Sequence, residues 1–391
     1  MNAPILVLGA DGYVGWPLVC ELLARHPHRP IVLVDNGLRR RLVAEVGGQS
    51  VTPVASFGER VEAARRIFGA TAVSVVELDV AGKELDPLIA ELKPEVVYHL
   101  AQQCSAPWSM RGPEEAVFTI ENNEGGNLRL LFSLRKHVPN AHLVKLGTFG
   151  EYAKAGIDVA EGYFRPTYNG REATAPMPYP RESDDVYHIS KINDSNFISL
   201  ACRKWGLAVT DVMQSTIYGL HTAAVARDPV LATRFDQDAC FGTVLNRFVS
   251  QVVVGHPMTV YGTGLQRTGL MYLGDSVASL ASLADRRPDP GVHHVINHVT
   301  ERNWCVLEIA EHVAAAASRV GLSPRIERGV HNPRAENDTV KATHTVEAHY
   351  VASEVGHTGF DTAIPELLAE VHRHRARVQD GSFAPTVQWS R

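Results

Sequence analysis

The sequence predicts an α/β fold: a doubly wound parallel sheet with helices on both faces, and a smaller lobe from the C-terminal part. Three observations lead there. Short apolar runs of strand length alternate with helix-length stretches through the first half of the chain. The first run ends in a glycine-rich turn, Gly9 to Gly15, which opens directly into a helical stretch. Gly9, Asp35, Asp79, Ala101 and Thr148 each close an apolar run, and on such a sheet that edge is where ligands bind.

Taken in order, strands are expected at Ile5–Leu8, Ile31–Val34, Val73–Leu78, Val96–Leu100, His142–Leu146 and Val209–Val212. Helices are expected over Trp16–Leu23, in patches at 38–46 and 58–68, and as one long helix over 114–136. Another begins at Tyr187 and continues through Ile192, Phe197, Ile198, Ala201 and Trp205, apolar residues three or four apart. Beyond residue 220 the pattern is less regular. Helices are expected at 240–254, 275–284 and 304–320, with strands at Met258–Tyr261 and around 293–296. The expected division is 1–219 for the sheet domain, including the Tyr187 helix, and 220–391 mostly for the lobe, some segments returning to the sheet. No internal repeat or low-complexity segment interrupts it.

The 391 residues are 45% hydrophobic and 21% charged, the composition of an ordinary globular chain with a sizeable core. A net charge of -5 argues against nucleic-acid or membrane-surface partners, and the basic clusters Arg39–Arg41 and His372–Arg375 are short. Five scattered cysteines with no Cys-x-x-Cys indicate neither a disulfide framework nor a zinc knuckle. Eighteen histidines include no His-Glu-x-x-His, and His372 and His374 point apart on a predicted helix, so no metal is expected. With no signal or membrane-spanning run, a cytoplasmic location is expected.

In the turn, Gly9 permits the tight bend, Gly12 lets the backbone approach a pyrophosphate, and Gly15 lets helix pack on strand. The helix N-terminus then offers free N–H groups and its positive dipole end to the phosphates. Asp35, twenty residues beyond Gly15, accepts from ribose hydroxyls and repels a 2′-phosphate. That favours NAD over NADP, although Arg39 and Arg40 follow closely enough to neutralise a phosphate. Asp79 and Val80 are placed to border the adenine. Tyr187 and Lys191 lie four apart, hence on one helix face, where the ammonium favours the phenolate and lowers the tyrosine pKa.

Gly9-x-x-Gly12-x-x-Gly15, Asp35, Asp79, His99-Leu100-Ala101, Asn123-x-x-Gly126, Leu146-Gly147-Thr148 and Tyr187-x-x-x-Lys191 together resemble the extended short-chain dehydrogenase/reductase family, over nearly the whole chain. The resemblance implies a Rossmann-type domain holding NAD, with Tyr187 as base, Lys191 on the nicotinamide ribose and Thr148 on the reacting hydroxyl. It implies cofactor contacts from Gly9, Asp11, Gly12, Tyr13, Val14, Gly15, Asp35, Asn36, Arg40, Asp79, Val80, Leu100, Ala101, Gln102, Asn123 and Gln214. Implied substrate contacts are Gln103, Cys104, Ser105, Thr148, Gly150, Thr216, Asn246, Arg247, Thr259, Tyr261, Gln266, Arg267 and Arg334. Glu151 is a candidate second acid/base near C5 or C6 of a sugar; the alternative is a strand-end surface carboxylate. A homodimer packing the helices near 114–136 and 187–205 is implied as well.

Within the family, Gly12–Trp16, Val34–Asn36 with Arg39 and Arg40, Thr52–Ser56, Ser105–Met110, Leu143–Tyr152, Phe241–Phe248, Gly255–Gly262, Asn332–Arg334 and Pro385-x-x-x-Trp389 resemble the sulfoquinovose synthase branch. That branch implies oxidation of a UDP-glucose at C4, elimination across C5–C6, addition of sulfite at C6 and return of the hydride. The chemistry is coherent, because a ketone at C4 acidifies the C5 proton. Three departures fall on the substrate side. Cys104 stands where the branch has an arginine, removing a cation beside the sugar. Gln266-Arg267-Thr268 shifts a basic residue by one place, which on a strand turns it to the other face and leaves more of the pyrophosphate to Arg334. Residues 337–342 lack the acidic and aromatic character of the branch.

Three readings follow. The first is a nucleotide-sugar enzyme working through a transient 4-keto sugar in the sulfoquinovose mould, its nucleotide UDP or GDP. The second is a 4-epimerase on an unusual or extended sugar. The third is a cofactor-binding regulator without chemistry, which has no use for Tyr187, Lys191 and Thr148 together.

Overall fold

The structure is a computed structural model that describes residues 3–152, 158–331, 346–385 and 387. Seven strands form the central sheet: β1 Ile5–Leu8, β2 Ile31–Asp35, β3 Val73–Glu77, β4 Val96–His99, β5 His142–Leu146, β6 Ala208–Gln214 and β7 His293–His298. Their order is β7-β6-β5-β4-β1-β2-β3, every pairing parallel. Helices α1 Gly15–Arg25, α2 Leu38–Glu45, α3 Phe57–Phe68, α4 Leu85–Leu92, α5 Pro113–Ile120, α6 Gly126–His137 and α7 Val186–Trp205 connect them.

Strands covered on both faces must be apolar throughout, and β1 shows the consequence. Ile5 and Val7 pack with Trp16 and Leu22 of α1 and Val61 of α3, while Leu6 and Leu8 pack with Ile89, Leu130 and Ile198 from α4, α6 and α7. From β1 the chain winds outward through β2 and β3 to one side and through β4, β5 and β6 to the other. The crevice left at that reversal, beyond the carboxyl ends of β1 and β4, is where ligands bind such sheets.

The C-terminal half adds α8 Val244–Val253, α9 Leu273–Ser282, α10 Val306–Arg319 and α11 Phe360–Arg373. Strands Thr216–Tyr218, Arg267–Tyr272 and Glu301–Cys305 form one small sheet, and Met258–Tyr261 pairs with Ile326–Val330. Phe248, Val252, Ile309, Val313, Ile364 and Leu367 fill a core between α8, α10 and α11. Strand β7 lies in the main sheet and α9 packs with α1 in its core, so the chain crosses back after residue 260.

Three expected helices differ. The stretch 114–136 is broken by a π-helical turn, Glu121–Gly125, whose wider winding turns Asn122 and Asn123 inward between α5 and α6. Residues 240–243 stay outside α8 because Asp238 accepts the N–H groups of Cys240 and Phe241, which makes a turn instead. Residues 304 and 305 end a strand, and Cys305 then caps α10. Among the described residues no helix is long and apolar enough to cross a membrane.

Candidate active site

A cavity of about 490 Å³ occupies the crevice. Its first wall is the turn between β1 and α1, where Gly9, Gly12, Tyr13, Val14 and Gly15 all line the space. Gly9 has φ +87°, and a Cβ there would come within 2.7 Å of the Leu100 and Ala101 backbone. A Cβ on Gly15 would lie 2.0 Å from the Gly9 carbonyl oxygen, so both positions demand glycine. Asp35 lines the cavity with one oxygen accepting the Asp11 N–H at 2.8 Å and the other the Gly37 N–H at 2.7 Å. Burial pushes its carboxyl above the usual range, against those hydrogen bonds and Arg40. A bare-backbone turn at a helix N-terminus beside an anchored carboxylate fits a dinucleotide. Asn36, Asp79, Val80, Leu100, Ala101, Gln102 and Gln214 share the wall.

Three expected cofactor contacts, Asp11, Arg40 and Asn123, face elsewhere. The Asp11 carboxylate is buried behind the turn, accepting from Arg40 Nε at 2.5 Å and Nη2 at 3.0 Å, and from Arg60. Asp11 and Arg40 therefore brace the turn from behind rather than line the cavity. Asn123, fully buried, accepts the Gln103 N–H at 2.8 Å and donates to the Gln103 carbonyl and Ser190 Oγ, each at 3.0 Å. It holds the loop after β4 and stands outside the wall.

Thr148, Tyr187, His188 and Lys191 line the opposite side. Asp185 caps α7, accepting the His188 N–H at 2.8 Å, and sets the helix so that Tyr187 and Lys191 share a face. Lys191 Nζ lies 6.0 Å from the Tyr187 ring centre and donates to Gln102 Oε1 and, at 2.5 Å, to the Leu146 carbonyl. Burial and the nearby Lys145 ammonium lower the Lys191 pKa to about 7, against the pull of Asp194, Glu151 and Asp211. The Tyr187 pKa goes up, not down. Burial dominates, and Cys104, Glu151, Asp185 and Asp194 add to it. The chain's own groups thus overrule the expected depression by Lys191.

Glu151 is neither a cavity residue nor a surface carboxylate. It is fully buried, its Oε2 2.5 Å from Arg181 Nη1 and its Oε1 accepting the Thr148 N–H at 3.0 Å. It shapes the turn that carries Thr148. His188 lines the cavity instead, its Nδ1 2.5 Å from Asp185 Oδ2 and its ring 4.8 Å from that of Tyr187. The Asp185 contact orients the ring through Nδ1. A Cβ on Gly150, another cavity residue, would fall 2.1 Å from the His188 ring, so the glycine makes room for the histidine. His188 was not among the expected site residues, although a histidine directly after the tyrosine and three residues after a capping aspartate was the signal.

The loop after β4 brings Gln103, Cys104 and Ser105 to the cavity. The Gln103 amide itself bonds Thr119 Oγ1 and the Ser105 carbonyl. Cys104 lacks no cation: Arg39 Nη1 lies 2.8 Å from its Sγ. Arg39 lines the cavity from α2, paired with Asp236 at 2.7 Å and stacked 4.3 Å from the Phe241 ring centre. Arg39, from a short basic cluster, thus brings a cation to the loop in which the branch's arginine is missing.

From the second lobe, Thr216 and Arg267 line the cavity. Arg267 was expected to turn away, but the strand carries it inward, with Nη1 3.6 Å from Glu308. Gln266 instead donates to the Tyr261 carbonyl at 3.1 Å. Asn246, Arg247, Thr259 and Tyr261 lie outside this wall: Arg247 bonds Thr259 Oγ1 at 3.3 Å and stacks 5.0 Å from the Tyr261 ring centre. Arg334 and residues 337–342 lie outside the described residues. Among the described residues no group of three or more His, Cys, Asp or Glu side chains is placed to hold a metal ion.

The sheet, the glycine turn and the Tyr187–Lys191 pair define a nucleotide-cofactor enzyme of the doubly wound class. A profile of the NAD dependent epimerase/dehydratase family matches residues 5–297, and the chain belongs to that family. It is 35% identical to the chloroplastic UDP-sulfoquinovose synthase of Spinacia oleracea, over 99% of this chain and 79% of that one. It is 36% identical to the UDP-sulfoquinovose synthase of Sulfolobus acidocaldarius, over 85% and 83%. Among solved structures, UDP-glucose 4-epimerase from Bifidobacterium longum in complex with NAD+ and UDP shares the fold, with a TM-score of 0.68 at 17% identity, covering 96% of this chain and 100% of that one.

Proposed function

We propose that this chain, an NAD-dependent nucleotide-sugar-modifying enzyme, oxidises a UDP-hexose to a transient 4-keto sugar, loses the C6 hydroxyl as water with the C5 proton, adds an anionic nucleophile, sulfite, at C6 of the resulting enone, and returns the hydride to C4. The observation that carries the reading is the cation at Arg39, which meets the loop beside Tyr187 inside the cavity. A sulfite or sulfonate needs such a charge, whereas simple inversion at C4 does not. The two sulfoquinovose synthases that align along most of the chain support the same choice.

In this reading Gly9, Gly12, Gly15 and Asp35 hold NAD, and NAD when bound supplies the site with hydride acceptance and return. Tyr187 Oη takes the C4 hydroxyl proton, and Thr148 Oγ1 orients that hydroxyl. Lys191 Nζ, as an ammonium, steadies the phenolate. His188 Nε2 moves the proton at C5 or C6, the role first considered for Glu151. Arg267 pairs with the pyrophosphate. Gln103, Ser105 and Thr216 contact the sugar nucleotide, for which UDP is favoured over GDP by the UDP-sulfoquinovose in the relatives' names.

The test is the fate of C5. Incubated in deuterated water with UDP-glucose and no sulfite, the enzyme is expected to exchange the C5 hydrogen for deuterium, read by mass spectrometry. C4 inversion with the C5 hydrogen retained contradicts the proposal and selects the epimerase. The dimer belongs to the same reading: Val117, Phe132, Ile189 and Leu200 are exposed apolar side chains on α5, α6 and α7, and a second copy is proposed to cover them.

A further inference from the structure

Beneath the cavity floor lies a buried cation that none of these steps uses. Lys145, on β5, is fully enclosed, its ammonium 3.6 Å from Asp194, 3.8 Å from Asp211 and 4.0 Å from Glu151. It hydrogen-bonds none of the described residues. Charge alone therefore holds it, near the centre of three carboxylates. Two of these lead to the proposed catalytic groups. Asp194 Oδ2 accepts from Gln102 Nε2 at 2.5 Å, and Gln102 Oε1 accepts from Lys191 Nζ. Glu151 Oε1 accepts the N–H of Thr148 at 3.0 Å. Asp211 and Glu151 share Ser195, whose Oγ lies 2.5 Å from the first and 2.9 Å from the second.

We infer that Lys145 is a positioning residue for both arms of the active site, fixing Thr148 through Glu151 and Lys191 through Asp194 and Gln102, and setting by its charge how firmly Lys191 holds its proton. The inference rests on the assignment of Tyr187, Lys191 and Thr148 given under Proposed function.

The charges around this floor come from every packed element. From α7 come Lys191, Tyr187 and Asp194, from β6 Asp211, and from the turn after β5 Glu151, with Arg181 against it. His293 of β7 lies 3.2 Å from Asp211, and His99 of β4 feels both lysines. Three cationic side chains, Lys145, Lys191 and Arg181, stand among three carboxylates. Lys145 therefore opposes a proton on Lys191, while Asp194 favours one.

The two neighbours thus give opposite signs, which a purely structural role does not. In the proposed chemistry activity falls at high pH as Lys191 loses the proton that steadies the phenolate. Replacing Lys145 by Met is expected to move that alkaline limb up by about one pH unit. Asp194→Asn is expected to move it down, and Lys145→Arg to restore the wild-type position. The measurement is the pH dependence of reduction of bound nicotinamide by UDP-glucose, followed by absorbance, with NAD content quantified for each protein. Lower activity with an unmoved limb in Lys145→Met overturns the inference, as does loss of NAD from all three variants, Lys145→Arg included. Wild-type enzyme whose bound cofactor no UDP-sugar reduces contradicts the catalytic reading itself, a distinct result.

Discussion

At Tyr187 burial and a neighbouring cation act in opposite directions, and in the chain alone burial is the larger. Activation of the phenol therefore depends on keeping Lys191 protonated while its own burial and Lys145 pull its pKa to about 7. Removing the phenolic oxygen in Tyr187→Phe is expected to leave NAD bound and to lower turnover by about 10²–10⁴-fold, the usual worth of a positioned acid/base. Retained turnover moves the base elsewhere, with His188 first in line. At Cys104 the deciding contact is Arg39. Cys104→Ala removes a small side chain and keeps substantial activity. Cys104→Arg sets two guanidiniums together and crowds the sugar, lowering sulfite-dependent turnover. Steady-state assays of both variants check this pair. His188 was not legible in the sequence as a site residue, and Arg39 was legible only as a possible partner of a cofactor phosphate. Arg39 sat in a short basic triplet, and only the fold brings α2 against the loop after β4.

Among elements, the π turn at Glu121–Gly125 matters most for the site. A straight helix over 114–136 fits the apolar spacing, and nothing in the composition forces a wider turn. The reason lies in tertiary contact: Asn123 has to reach the Gln103 backbone in both directions. Asn123→Ala leaves that N–H and carbonyl unpaired inside the protein, at a cost of roughly 1–3 kcal/mol. A lowered thermal midpoint together with a raised KM for the nucleotide sugar is expected, since the loop carrying Gln103 and Cys104 loosens. An unchanged midpoint contradicts this account of the turn. Elsewhere the sheet strands were legible to within a residue or two, because burial on both faces leaves unbroken apolar runs. The hairpin at Thr167–Tyr168 and Arg171–Glu172 was missed despite its Asn169-Gly170 turn, where both residues have positive φ. Two-residue strands carry too little alternation to stand out.

For the molecule as a whole, the cofactor half was legible because its demands fall on backbone: glycines that admit no Cβ and one carboxylate at a fixed distance along the chain. The substrate half was less so. Its cavity residues come from α2, the loop after β4, the turn after β5 and the second lobe, and a side chain's direction there is set by contacts far apart in sequence. Arg267 facing inward and Glu151 facing away from the cavity are both of this kind. The proposed dimer follows the same logic, since α5, α6 and α7 each leave apolar side chains outward. Phe132→Glu with Leu200→Glu is expected to convert a dimer to a monomer in light scattering, and an unchanged mass moves the interface elsewhere.

In the proposed reaction an anion is joined to C6 of the 4-keto sugar beside Arg39. The most direct measurement is the mass of the nucleotide-sugar product formed from UDP-glucose with and without sulfite. A sulfonated product that requires sulfite, and is lost in Arg39→Met with NAD still bound, is expected. UDP-galactose as the product, unaffected by sulfite, would contradict it.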